Sequence, residues 1–164
     1  MNRVMTSKQY FQTIGLTYYL QAFSLVVFAG VVYYLIGRSE TPIGDDRQWT
    51  LIVPVILLIG MATSYYLFRL MVKRIDPAAK VQQKLPKYAS ALMVRSALLE
   101  LPGLFSALVA YLTLRPYYLG GALMMFLVFL VLKPSRTTVA EDLGLNPKER
   151  DFINKPDSIV TDGN

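Results

Sequence analysis

The stretch FQTIGLTYYLQAFSLVVFAGVVYYLI, residues 11–36, holds no charge anywhere along its length. At about 1.5 Å per residue it makes a helix of about 39 Å, enough to cross a hydrocarbon core of about 30 Å. A cleavable signal peptide carries a shorter apolar region, about 7–15 residues, followed by a small-residue cleavage site. Nothing after Ile36 has that form, so the stretch reads as a membrane-spanning helix. Three further apolar runs follow, at residues 49–68, 91–114 and 117–132. The second opens on Trp49 and closes on Tyr65, Tyr66 and Phe68, as an aromatic belt does. The third is interrupted by Arg95 and Glu100, and the fourth would span only about 24 Å. Arg115 and Pro116 alone separate the last two, which predicts a tight antiparallel hairpin. One constant offset sets Phe28, Val32, Tyr34 and Leu35 on Phe105, Val109, Tyr111 and Leu112, pairing the first hairpin with the second. The expected fold is therefore all-α, a polytopic membrane protein with four transmembrane helices arranged as two tandem antiparallel hairpins. Residues 1–10 form an N-terminal segment, 11–132 the bundle, and 133–164 a polar tail.

Composition agrees with this and removes much familiar chemistry. Of 164 residues 54% are hydrophobic, and only 17 Lys or Arg and 11 Asp or Glu carry charge, below the share usual in soluble domains. Without Cys there is no thiolate nucleophile or disulfide, and without His the commonest catalytic base and transition-metal ligand is missing. No metal site, cofactor or catalytic constellation is expected. Asp45 and Asp46 beside Arg47 read as a solvated turn rather than a cation site.

Orientation follows from the basic residues. Arg69, Lys73, Arg74, Lys80, Lys84 and Lys87 crowd the connector between the second and third runs, whereas the other connectors carry Arg38, Arg47 and Arg115. The positive-inside rule puts that loop and both termini in the cytoplasm. Lys73, Arg74, Lys80, Lys84 and Lys87 are expected to contact anionic lipid, at about 1 kcal/mol each. The net charge of +6 is a topology signal that calls for no nucleic acid. The expected partners are the bilayer and other membrane subunits or further copies of the chain. Most tyrosines gather at run ends, among them Tyr10, Tyr18, Tyr33, Tyr34, Tyr117 and Tyr118, and read as interfacial anchors.

The polar residues inside the runs carry most of the remaining information. Gln21, Ser24, Thr63, Ser64 and Glu100 fall into one layer near mid-membrane. A carboxyl there faces the protein interior or a water-filled cavity. Ser96, Glu100, Gly103 and Ala107 share one helix face, and Gly103 with Ala107 and Gly60 with Ser64 make small-xxx-small pairs that admit a close neighbour. Pro102 deprives the Leu98 carbonyl of its amide partner within a turn of Glu100. Arg95, more than one helical turn before Glu100, is rotated off its face and expected to snorkel to the interface. Glu100 then reads either as a protonated interhelical donor to Gln21, Ser64 or a carbonyl, or as a functional carboxyl. The functional roles are a proton or cation carrier, a ligand-binding group, or a contact for a partner's buried charge. In the tail, Asn146-Pro147 starts a further helical turn holding Phe152 and Ile153, and the chain from Lys155 on is expected to be disordered.

The stretch RSALLELPGLFSALVAY, residues 95–111, with Lys133-Pro-Ser-Arg136 and Glu141-Asp-Leu-Gly-Leu145, resembles small uncharacterised four-helix inner-membrane proteins of bacteria. That resemblance implies a bacterial inner (plasma) membrane and no activity. The Glu100 segment also resembles the ion-carrying helix of rotary-ATPase proteolipid subunits, a short likeness confined to this one run, which carries over Glu100 alone, as proton carrier. The glycine-repeat helix of that family is absent from the first two runs. The reading is a non-enzymatic accessory or interaction subunit of a membrane complex, the alternative being a proton- or ion-translocating component using Glu100. Since the chain has no native Cys, Gly44→Cys should be labelled by an impermeant thiol reagent on intact cells and Lys80→Cys protected. The reverse pattern would overturn the orientation.

Overall fold

The computed structural model describes residues 5–42 and 47–161. The order is β1 (Met5–Thr6), α1 (Ser7–Ile36), α2 (Trp49–Lys73), α3 (Val81–Thr113), a 3-10 turn (Pro116–Tyr118), α4 (Leu119–Val131), α5 (Arg136–Asp142), α6 (Pro147–Asn154) and β2 (Ile159–Thr161). The protein is mostly helical, and α1, α2 and α3 are each long and apolar enough to cross a membrane. The number reaches four only if Pro116–Val131 and Arg136–Asp142, a bent pair, are taken together. By itself α4 has 13 residues, about 20 Å of helix.

The chain divides into two compact units, and α1, α2 and α3 each contribute to both. One comprises Met1–Tyr18, Tyr66–Val94 and Lys133–Asn164; the other comprises Tyr19–Tyr65 and Arg95–Leu132. Thirteen of the 17 basic and seven of the 11 acidic residues belong to the first, so it carries the whole net charge of +6 and the second is neutral.

The first unit follows the rules of water-soluble packing. The third helix begins well before the apolar run that sequence located at Ala91, because Val81, Leu85, Tyr88 and Leu92 form a buried stripe at helical spacing. Onto it pack α5 and α6. Gly144 ends α5 in a left-handed conformation (φ 57°), and the next amide, of Leu145, bonds the Ala140 carbonyl at 2.9 Å. Asn146 caps α6 in a reciprocal capping box with Glu149. At the other end of α6, Arg136 donates to the carbonyls of Ile153 (3.0 Å) and Asn154 (2.8 Å), where a helix terminus favours positive charge. The same guanidinium lies 5.1 Å from the Phe11 ring centroid. The segment from Lys155, expected to be disordered, is ordered through Thr161: β2 pairs antiparallel with β1, the Ser7 amide bonds Ser158 O, and the Ser7 hydroxyl bonds Ile153 O. Tyr10 and Tyr18 are buried rather than interfacial, and Tyr10 donates to Leu85 O at 2.6 Å.

The second unit is packed through small residues. A Cβ on Gly60 of α2 would overlap the ring of Pro102 on α3. One on Gly103 would lie 2.9 Å from Leu25 Cδ1 and 3.2 Å from Met125 Cβ, so this glycine sits where α1 and α4 both meet α3. One on Gly121 of α4 would overlap the Ser106 hydroxyl. Leu114, with φ 53°, turns the chain after α3, and the Ser106 hydroxyl bonds Tyr118 O at 2.5 Å across the bend. Tyr118 is buried there, unlike the interfacial anchor expected. Trp49 packs edge-on to Phe105, centroids 5.9 Å apart. On α4, Ala122, Met125 and Phe129 are buried while Leu123, Leu127, Leu130 and Val131 on the opposite side are exposed, the all-round apolar pattern of a lipid-facing helix.

Gly60→Ala should destabilise the detergent-solubilised protein by about 2 kcal/mol through overpacking against Pro102. Gly15→Ala, where a Cβ meets nothing within 4 Å, should be neutral or stabilising. Unfolding by titration with a denaturing detergent checks both, and equal effects would place Gly60 away from α3.

Candidate functional site

The polar layer expected from the sequence lies within the second unit, and the structure assembles part of it. Gln21 and Ser24, one turn apart, share a face of α1. The Ser24 hydroxyl donates to Glu100 Oε1 of α3 at 2.5 Å, and the carbonyl of Gln21 also lies within its reach at 2.8 Å. Glu100 is thus joined to Ser24, rather than to Gln21 or Ser64 as expected from the sequence. Ser64 is buried and donates instead to the backbone carbonyl of Arg95 at 3.0 Å, tying α2 to α3. Thr63, next to it, is half-buried and has no hydrogen bond to this cluster. The four helix-packing residues take definite places: Gly60 against Pro102, Gly103 between Leu25 and Met125, and Ala107 fully buried.

Two features bear on chemistry. Gln21 Oε1 is buried and accepts no hydrogen bond. Ser24 is exposed and Glu100 half-buried, so the pair opens on the outside of the unit rather than onto a sealed interior. Around it stand Leu20 and Phe23, 58% and 62% exposed, with Leu101 at 62% on α3. The Ser24 hydroxyl proton thus lies between two acceptors, a carboxyl oxygen and a backbone carbonyl, and the second carboxyl oxygen of Glu100 has no hydrogen bond among the described residues. Arg95 does not snorkel. Its residue is 7% exposed, a guanidinium enclosed by the chain. Among the described residues no group of three or more His, Cys, Asp or Glu comes together in a way that would hold a metal ion. Asp45 and Asp46 lie outside the described residues.

The basic connector belongs to the first unit and divides. Lys73, Arg74, Lys80 and Lys87 are exposed, as a lipid contact requires. Lys84 is a correction: it is 2% exposed, and its Nζ lies 2.9 Å from Glu149 Oε1. The stripe of Val81, Leu85 and Tyr88 turns this part of α3 inward, and Lys84, between them, turns in as well. A buried ammonium requires a partner. Glu149 supplies one from α6, and the next helical turn of α3 repeats the contact, Tyr88 donating to Asp142 at 3.0 Å. Asn146-Pro147 was visible as a helix start, but nothing local indicates that Glu149 caps the helix or reaches α3. Burial pushes the Glu149 carboxyl up, and the Asn146 amide with the Lys84 ammonium outweighs it, holding the group below its ordinary value.

Comparison of the chain with protein-family models, with curated proteins and with solved structures finds no match.

Because the folded-state value of Glu149 is depressed, its contribution is complete above the ordinary Glu value of about 4.3 and is lost as pH falls through the folded value. Glu149→Gln should lower stability by about 2 kcal/mol at pH 7, leaving Lys84 buried without its counter-charge. The gap to the unaltered protein should close only as pH falls through the folded value, below the ordinary Glu range. Melting curves across that range test this, and a pH-independent gap would contradict the pairing.

Proposed function

We propose that the chain is a non-enzymatic polytopic membrane protein acting as an accessory or interaction subunit of a membrane complex. In this reading residues 11–36, 49–68, 91–114 and 117–132 cross the bilayer as two antiparallel hairpins. Both termini and the basic connector face the cytoplasm, in a bacterial inner membrane. The asymmetry of charge between the units supports the placement, since the unit carrying the whole +6 holds the termini and that connector.

The observation that carries the functional reading is the open side of the Ser24–Glu100 pair. A carboxyl near the middle of an apolar helix costs about 3 kcal/mol on insertion scales and belongs against protein or water. Here its flank is a surface of large apolar side chains, with one carboxyl oxygen not engaged by Ser24. Such a surface suits another transmembrane segment better than hydrocarbon. The small-residue contacts of Gly60, Gly103 and Gly121 are spent inside the unit, so the Ser24 side is the polar part of its outer wall.

A photo-crosslinking residue at Phe23, on that side, should give one defined adduct with a different protein in native membranes, whereas one at Leu130 of α4 should give lipid adducts. Mass spectrometry identifies both. A ladder of adducts with identical copies would favour the proteolipid-like alternative, and lipid adducts alone at both positions would refute the interaction reading.

A further inference from the structure

The proposed interaction has a definite chemistry. Among the described residues Glu100 accepts from Ser24 at Oε1 and has no hydrogen bond at Oε2, and the Ser24 hydroxyl proton is within reach of two acceptors. The side that exposes Ser24 therefore presents a carboxyl with acceptor capacity to spare. A partner group that completes it brings several N–H donors and, at a carboxylate, positive charge.

A second copy of the chain is poorly equipped for this. Arg95 is the one basic residue inside the four apolar runs, and it is enclosed at 7% exposure, with its backbone carbonyl already bonded by Ser64. A free cation is also a poor match. The outward oxygens are those of a single carboxyl and a hydroxyl, ringed by Leu20, Phe23 and Leu101, too few to coordinate a hard cation. A helix brings both things the surface needs, apolar side chains for the ring and a donor for its centre.

We propose that this face receives a transmembrane helix of another protein, carrying one Lys or Arg at the depth of Glu100. The inference rests on the interaction-subunit reading and adds the chemistry of the partner. Glu100 takes the charge on the carboxyl oxygen that Ser24 does not reach, and Leu20, Phe23 and Leu101 pack against the apolar turns on either side.

The test uses the full chain in liposomes with synthetic apolar helices of about 22 residues that differ only at the central position, Lys, Leu or Glu. Energy transfer between labelled peptide and labelled protein reads association. The Lys peptide should bind about tenfold more tightly than the Leu peptide, and the Glu peptide no better than Leu. On Glu100→Gln the Lys advantage should fall below about threefold, whereas Met124→Leu, on the exposed side of α4, should leave it intact. The comparison among peptides uses the unaltered chain and holds even if Glu100→Gln fails to fold. Equal binding of the Lys and Leu peptides, or a Lys advantage undiminished in a folded Glu100→Gln protein, would overturn the proposal. If a foreign adduct at Phe23 stood beside equal peptide binding, the interaction reading would survive and the cationic partner would not. Without such an adduct the interaction reading would fall independently.

Discussion

Inside a bilayer no water stands ready to take an unused hydrogen bond, and this constraint organises the second unit. It explains why the apolar runs fold as helices, the form in which a single segment satisfies its own backbone. It also explains the use of serine. Ser64 donates to a carbonyl of α3, and Ser106 donates to a carbonyl beyond the bend before α4. Each hydroxyl finds a backbone oxygen on a neighbouring segment, so it ties two segments together without leaving a polar atom in hydrocarbon. Such bonds require close backbones. Gly60 against Pro102 and Gly121 against Ser106 supply the approach, because a single methyl group at either glycine would occupy space already filled.

The first unit obeys different rules. Its helices α5 and α6 are short, begin with capping side chains and end with a left-handed glycine or an arginine on the last carbonyls. Such helices have too few turns to stand alone and depend on tertiary contacts. Those contacts include Lys84 with Glu149 and Tyr88 with Asp142, beside the buried Val139, Leu143 and Ile153, while Tyr10 on Leu85 O ties α1 to α3. The strand pair joins the two ends of the described chain as well, since Met5 lies opposite Thr161 and Thr6 opposite Ile159.

Hydropathy made the long helices legible, because an uncharged stretch as long as that from Phe11 to Ile36 is rare outside a membrane. It misplaced their limits where the principle changes. Residues 81–90 of α3 are amphipathic rather than apolar, so a search for apolar runs stops at Ala91 although the helix begins at Val81. The same change of rule hid the fate of Lys84. Beside Lys80 and Lys87 it reads as one more topology charge, and only the helical stripe that it shares with Leu85 and Tyr88 turns it inward. Burial of Arg95 was hidden for a related reason: a long side chain at a helix interior has two solutions, snorkelling or enclosure, and sequence does not choose between them. Order after Lys155 was invisible because the partner strand, Met5–Thr6, lies at the opposite end of the sequence. For the polar layer, pairing was not legible. Helical arithmetic gave Gln21, Ser24, Thr63, Ser64 and Glu100 one level, but which hydroxyl meets Glu100 depends on the rotation of α1 about its axis.

That rotation has an energetic consequence. An ionised or merely polar carboxyl near mid-membrane carries a cost of about 3 kcal/mol, and one interhelical hydrogen bond returns about 0.6–2 kcal/mol. The bond from Ser24 therefore leaves a deficit of about 1–2 kcal/mol at Glu100. Turning α1 to bring Gln21 across in place of Ser24 would add an amide donor, yet it would move Leu25 off Gly103, where the leucine fills the space that a Cβ would otherwise claim. Packing thus fixes the rotation and leaves the polar pair underserved on its outer side. The deficit can be removed only by supplying a proton, either on the carboxyl itself or on a donor carried by another chain. A neutral carboxyl would donate a hydrogen bond to the Ser24 oxygen, whose own proton then turns fully to the Gln21 carbonyl. A partner's N–H groups can instead reach the carboxyl oxygen that Ser24 leaves open, which is the physical ground for reading this face as an incomplete half of an intramembrane contact.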